Sequence, residues 1–133
     1  MRIKLVSAMV DDQDRALAFY TDVLGFVKKH DILLGGPYRW ITVTSPEGPG
    51  DVELVLEPNA MPEVRALQLA LVEQGTPYLA FEVDDVDAEY ERLRGRGVSF
   101  TTEPVDQGPI RLAIFADGVG NLVQIYAPTG ESP

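Results

Sequence analysis

The sequence contains no cysteine and a single histidine, His30. Disulfides, thiolate metal ribbons, iron–sulfur clusters and thiol nucleophiles are thereby excluded. No site built from several imidazoles can form within one chain, and a serine–histidine–aspartate triad would have to recruit His30. Positive charge is also scarce: 11 Lys and Arg stand against 21 Asp and Glu, a net charge of −10. Phosphate backbones and anionic membrane surfaces repel such a chain, so neither nucleic acid nor membrane is an expected partner. No stretch approaches the ~18 apolar residues of a membrane span. The opening MRIKLVSAMVDD has a short apolar run that ends in acids, which is not the pattern of a signal peptide. A soluble, cytoplasmic protein is expected. What remains is ordinary globular composition, 45% hydrophobic and 24% charged over 133 residues, enough for one domain with its own core.

The chain repeats itself. Val10-Asp11-Asp12-Gln13-Asp14 matches Val83-Asp84-Asp85-Val86-Asp87. Each copy follows an apolar stretch, Ile3 to Met9 and Tyr78 to Glu82, and each precedes a helical pattern. Leu17, Tyr20, Val23 and Leu24 carry the first helix, and Val86, Tyr90 and Leu93 the second. Asp11, Asp12, Asp84 and Asp85 are N-cap candidates, because their oxygens can accept orphan helix N–H groups. Gly25 and Gly97 come after the helices, where the chain needs positive φ. Strand-like runs come next, Phe26 to Lys29 and Val98 to Thr102. Two more strands complete each half, at about 38–44 and 52–57, then at about 110–115 and 122–126. Each half thus reads β-α-β-β-β. The segment between them holds a third helix at about 62–73, with proline near its start and Gly75 after its end.

Alternation along the strands separates two faces. Val6, Ala8, Val10, Val52, Leu54, Leu56, Leu79, Phe81, Val83, Val123 and Ile125 share one parity, entirely apolar, and must face the helices. The other parity holds Leu5, Ser7, Met9, Glu53, Val55, Glu57, Tyr78, Ala80, Glu82, Leu122, Gln124 and Tyr126. This mixed face suits a curved sheet lining a cleft, apolar with a few polar groups. A solvated face, or one half-buried in a dimer, fits the same pattern.

The order VDDQDRALAFYTDVLGF, VELVLEPN, FEVDDVDAEYERLRGRGVSF, FADGVGNLVQIY resembles the vicinal oxygen chelate superfamily of glyoxalases, bleomycin-resistance proteins and extradiol dioxygenases. The resemblance runs from about Ile3 to Tyr126. It implies an α+β fold of two βαβββ modules that form a curved mixed sheet around an open cleft. It also implies one domain over 1–133: module one at about 3–57, a linker helix at about 58–76, and module two at about 77–127. Metal enzymes of that superfamily hold a divalent ion with inward residues of the first and last strands of each module. The matching positions here are Leu5, Glu53, Tyr78 and Gln124. Leu5 cannot ligate, Tyr78 is a poor substitute for imidazole, and Gln124 offers only a neutral carbonyl. No metal and no cofactor are therefore expected. His30, on another strand, does not repair the set.

The candidate catalytic residue is Glu53, as a general base. The candidate ligand-binding residues are Ser7, Met9, Trp40, Glu53, Tyr78, Gln124, Tyr126 and Arg111. Tyr38, Trp40 and Tyr126 would wall a pocket and stack on a planar ligand. Glu57 and Glu82 would make the face acidic and attract cations. Arg39 and Arg111 would clamp an anion, although an isolated arginine is more often an ion-pair partner. His30, in Lys28-Lys29-His30-Asp31, reads as a solvent-exposed strand end. The expected function is binding of a small molecule in the cleft by a homodimer without a tightly held transition metal. A glyoxalase-type lyase or isomerase using Glu53 as base with a weakly held divalent ion is one alternative. A non-catalytic accessory subunit is the other.

Overall fold

Each helical half begins with the same device. The second aspartate of each VDD triplet turns back to cap its helix: Asp12 Oδ1 accepts from Arg15 N at 2.9 Å, and Asp85 Oδ1 from Ala88 N at 3.0 Å. Both caps have extended backbone, as an N-cap requires. The computed structural model describes residues 1–130. Its elements run β1 (Leu5–Val10), α1 (Gln13–Ala18), β2 (Val27–Leu33), β3 (Arg39–Thr44), β4 (Glu53–Pro58), α2 (Pro62–Gln74), β5 (Leu79–Glu82), α3 (Val86–Gly95), β6 (Phe100–Gln107), β7 (Ile110–Ala116) and β8 (Leu122–Pro128). This is the α+β, twice-repeated β-α-β-β-β order read from the sequence.

The chain divides into two compact units, one from Met1 to Arg65 and the other from Ala66 onward, so the boundary falls inside α2. Each unit has its own four-stranded mixed sheet, ordered β1-β4-β3-β2 in the first and β5-β8-β7-β6 in the second. In each, the first strand pairs parallel with the last, and the other pairings are antiparallel. In the first unit, Ala8, Val10, Ala16, Tyr20, Ile41, Val43 and Leu56 are buried. In the second, Leu79, Val86, Leu93, Phe115, Val123 and Ile125 are buried. Burying each large side chain contributes roughly 1.5–3 kcal/mol. Val6 and Val52, on the same parity, stay 46% and 37% exposed, so the covered face does not reach the ends of β1 and β4.

The first helix departs from the sequence reading. After Ala18 it widens into a π-helical turn over Phe19–Val23, in which Leu24 N donates to Phe19 O. The Thr21 hydroxyl donates to the Leu17 carbonyl at 2.7 Å. That carbonyl would otherwise serve the regular ladder, and a competing hydroxyl of this kind loosens a helix locally. The edge strands β2 and β6 are also longer than expected. Both contain bulges, at Lys28/His30 and at two places between Phe100 and Val105. Pro104 is tolerated in β6 because the strand is a bulged edge.

Two glutamines pin helices to sheets. Gln13, buried at the start of α1, donates to Arg39 O and Leu56 O and accepts from Arg39 N. Gln68 of α2 donates to Asn121 Oδ1 at 2.9 Å, and Asn121 Nδ2 donates to Asp117 Oδ2. Asp117 Oδ1 accepts from Val119 N and Asn121 N. The Asp117–Asn121 segment is thus a self-bonded turn anchored to α2, as its composition suggests. Gly120 has φ of 115°, a conformation that favours glycine, and a Cβ there would also press on Gln68 Nε2 at 3.2 Å.

Candidate functional site

In the first unit, registry places the mixed parity on one face. Leu5 lies opposite Glu53, Ser7 opposite Val55 and Met9 opposite Glu57 on the β1–β4 pair. Thr42 lies opposite Val55, and His30 and Ile32 of β2 lie opposite Thr42 and Trp40. Ser7, Met9, Trp40 and Glu53 therefore share this face, with Met9 opposite Glu57 and so four positions along β4 from Glu53. Ser7, Met9, Trp40 and Glu57 are half-buried.

Glu53 is the chemical centre. Its side chain is only 13% exposed. Lys29 Nζ lies 3.7 Å from Oε2, and His30 Nε2 lies 3.6 Å from Oε1. The Thr42 hydroxyl is foremost in holding the Glu53 carboxyl below its usual pKa, with Lys29 and His30 assisting and burial opposing. The contact nevertheless falls short of a full hydrogen bond. Thr42 Oγ1 and Glu53 Oε1 are both buried, and neither has a hydrogen-bond partner.

The position of His30 corrects the sequence reading. A simple alternation would not aim it at Glu53. The bulge gives Lys28 to Val43 and His30 to Thr42, leaving Lys29 as the extra residue. One inserted residue reverses the parity of the strand beyond it, so His30 joins the face of Thr42 and Glu53. The solvent-exposed strand end of the sequence reading is a side chain 40% exposed and directed to the carboxylate.

In the second unit, Gln124 lies opposite Ala80 and Ile114, and Tyr126 opposite Glu82 and Leu112. Tyr78 stands just before β5, its N–H bonded to Leu122 O, with its residue 40% exposed. Leu112, Ile114 and Leu122 form a buried cluster on this face, packed by Ile110, Ala116 and Tyr126. The two units thus differ: the first face carries ionisable groups, and the second is largely apolar.

Arg111 is not brought together with Tyr126. It neighbours Leu112 along β7 and so points to the opposite face. There its Nε and Nη2 donate to both Asp87 oxygens at 2.9 Å, and Nη1 donates to Asp106 at 2.9 Å. Arg39 does the same in the first unit, with Asp31 and Asp14 each at 2.8 Å. The Asp87 carboxyl is held below its usual pKa chiefly by Arg111. The last aspartate of each VDDxD copy is therefore an arginine partner, and both guanidinium groups are already occupied.

Among the described residues no group of three or more His, Cys, Asp or Glu could hold a metal ion. At the superfamily's ligand positions only Glu53 offers an ionised oxygen, and Lys29 sits beside it. A cationic neighbour opposes a second cation there, so this donor set does not fit a divalent ion.

Residues 2–125 match the model of the Glyoxalase/Bleomycin resistance protein/Dioxygenase superfamily. The chain belongs to this superfamily. Among curated relatives, the uncharacterized protein YurT of Bacillus subtilis (strain 168) is 46% identical over 125 residues, 94% of this chain and 98% of YurT. The crystal structure of UcmS2 is similar at TM-score 0.79 and 34% identity, covering 95% of this chain and 97% of UcmS2. TnmS3, an antibiotic binding protein from Streptomyces sp. CB03234, is similar at TM-score 0.76 and 30% identity, covering 97% of both chains. No helix among the described residues is long and apolar enough to cross a membrane.

Proposed function

We propose that this superfamily member binds a small organic molecule on the Ser7–Met9–Trp40–Glu53 face of its first sheet, with no tightly bound transition metal. The observation that carries the reading is the carboxylate itself. Glu53 is an acid with Lys29 beside it, and its buried Oε1 lacks a hydrogen-bond donor; the same sheet face also carries a hydroxyl, a thioether and an indole. Apolar lining with a few convergent polar groups is the general character of small-molecule sites. The antibiotic-binding neighbour TnmS3 supports the same class of function. Tyr78, Gln124 and Tyr126 are ligand contacts of the second unit's own face in this reading, and the working protein is a cytoplasmic homodimer. Proton abstraction by Glu53 is disfavoured, because its carboxyl is held below rather than above the usual range and a general base works best with its pKa near the working pH.

The test is a thermal-shift screen of small aromatic compounds, cationic, neutral and anionic, on the full chain. Stabilising compounds are expected, and their shifts should shrink in Trp40→Ala and Glu53→Ala. Hits indifferent to both substitutions would remove the site from this face.

A further inference from the structure

We propose that Thr42 and Glu53 together dock a neutral donor–acceptor group, a hydroxyl or a primary carboxamide, carried by an aromatic ligand. The Thr42 hydroxyl donates to the ligand, and Glu53 Oε1 accepts from it. This inference rests on the binding reading above and narrows it to a ligand class.

Charge decides against ions. The Glu53 carboxylate already has Lys29 Nζ at 3.7 Å and His30 Nε2 at 3.6 Å. An ammonium ligand would find an acid whose charge is partly met, beside a competing cation. A carboxylate ligand would meet Glu53 as a like charge. What is unmet is hydrogen bonding. Thr42 is fully buried on the central strand β3, and its Oγ1 has no partner. Glu53 Oε1 is equally buried, and the imidazole at 3.6 Å is too distant to bond it. Buried polar atoms without partners are rare and costly in folded proteins. The unmet pair comprises one O–H donor and one carboxylate lone pair. A single hydroxyl, or the N–H and C=O edge of one carboxamide, satisfies both.

The neighbours specify the rest of the ligand. Trp40 lies two residues from Thr42 on β3 and hence on the same face. Ile32, 50% exposed, is its cross-strand partner. Together they offer an apolar surface beside Thr42, on its side away from Glu53. The His30 side chain is 40% exposed and can swing off the carboxylate to admit a ligand, while Lys29 is also tied to the Gly50 carbonyl at 3.1 Å.

The experiment titrates four naphthalene probes into the isotope-labelled full chain and tracks backbone amide signals of residues 40–57. The probes are naphthalene-2-carboxamide, its N,N-dimethyl amide, naphthalene-2-carboxylate and 2-naphthylmethylammonium. The primary carboxamide is expected to bind roughly tenfold tighter than the other three, the worth of one net hydrogen bond. Thr42→Val should erase that preference, and Thr42→Ser should keep it. Equal binding by the dimethyl amide or by either ion overturns the inference, and needs no variant to read. Indifference of the carboxamide to Thr42→Val also overturns it, and would mean that an ordered water alone serves the pair. Binding at residues 40–57 without carboxamide preference sinks this inference only. Absence of binding by all four probes sinks the wider reading with it.

Discussion

Thr42 is the residue at which stability and binding pull in opposite directions. Its hydroxyl is shielded from water without a partner, and such a group costs about 1–3 kcal/mol. Valine has the same shape, suits a strand and lacks that cost. Thr42→Val is therefore expected to raise the stability of the ligand-free protein by about 1 kcal/mol, part of the gain being lost with its support of Glu53. Urea unfolding measures this directly; a clear fall in stability would mean that the hydroxyl is bonded in solution. Glu53→Ala is expected to act differently. It leaves Lys29 with only its bond to the Gly50 carbonyl and frees the His30 side chain, seen as altered imidazole signals of the single histidine in proton NMR spectra.

Side-chain amides add to apolar packing in placing α1 and α2. Gln13 bonds three backbone groups of β3 and β4, so Gln13→Ala strands two carbonyls and one N–H near the core. A loss of about 2–3 kcal/mol is expected in urea unfolding, since unmet buried groups cost about 1–3 kcal/mol each and water recovers part of it. Gln68→Leu should cost less, because Asn121 retains its bonds to Asp117. The strands, the helices, their caps and both VDDxD copies were legible because each is written in local periodicity or in an oxygen placed before a helix. The jobs of Gln13 and Asp14 were not, because their partners Leu56 and Arg39 lie 43 and 25 positions further on. Nor was His30, whose direction depends on a bulge that alternation cannot foresee. Arg111 reads from the sequence as a ligand contact, with an ion pair as the alternative, and its partners Asp87 and Asp106 were not legible because they reach it only through the folded sheet.

Over the whole molecule, the excess of acid governs the response to solution conditions. The Glu53 and Asp87 carboxyls titrate below their usual range when folded. Between the usual carboxyl pKa near 4 and those lower values, the unfolded chain takes up protons that the folded chain refuses. Their contribution is therefore fully present above that window and is lost as pH falls through it. Thermal unfolding should be flat from about pH 6 to 8 and drop steeply below about pH 4, less steeply in Asp87→Asn. Added salt should raise the melting temperature at pH 7, because it screens the repulsion within a chain of net charge −10 more than it weakens exposed ion pairs. The bulge in β2 carries a different consequence. Removing Lys29 altogether would restore regular pairing along an edge strand, keep the imidazole opposite Thr42 and take away the ammonium beside Glu53, with every core residue untouched. A one-codon loss at the rim of a duplicated half thus rewrites what the sheet presents, which is a short evolutionary route by which sister proteins on this scaffold can come to hold different molecules.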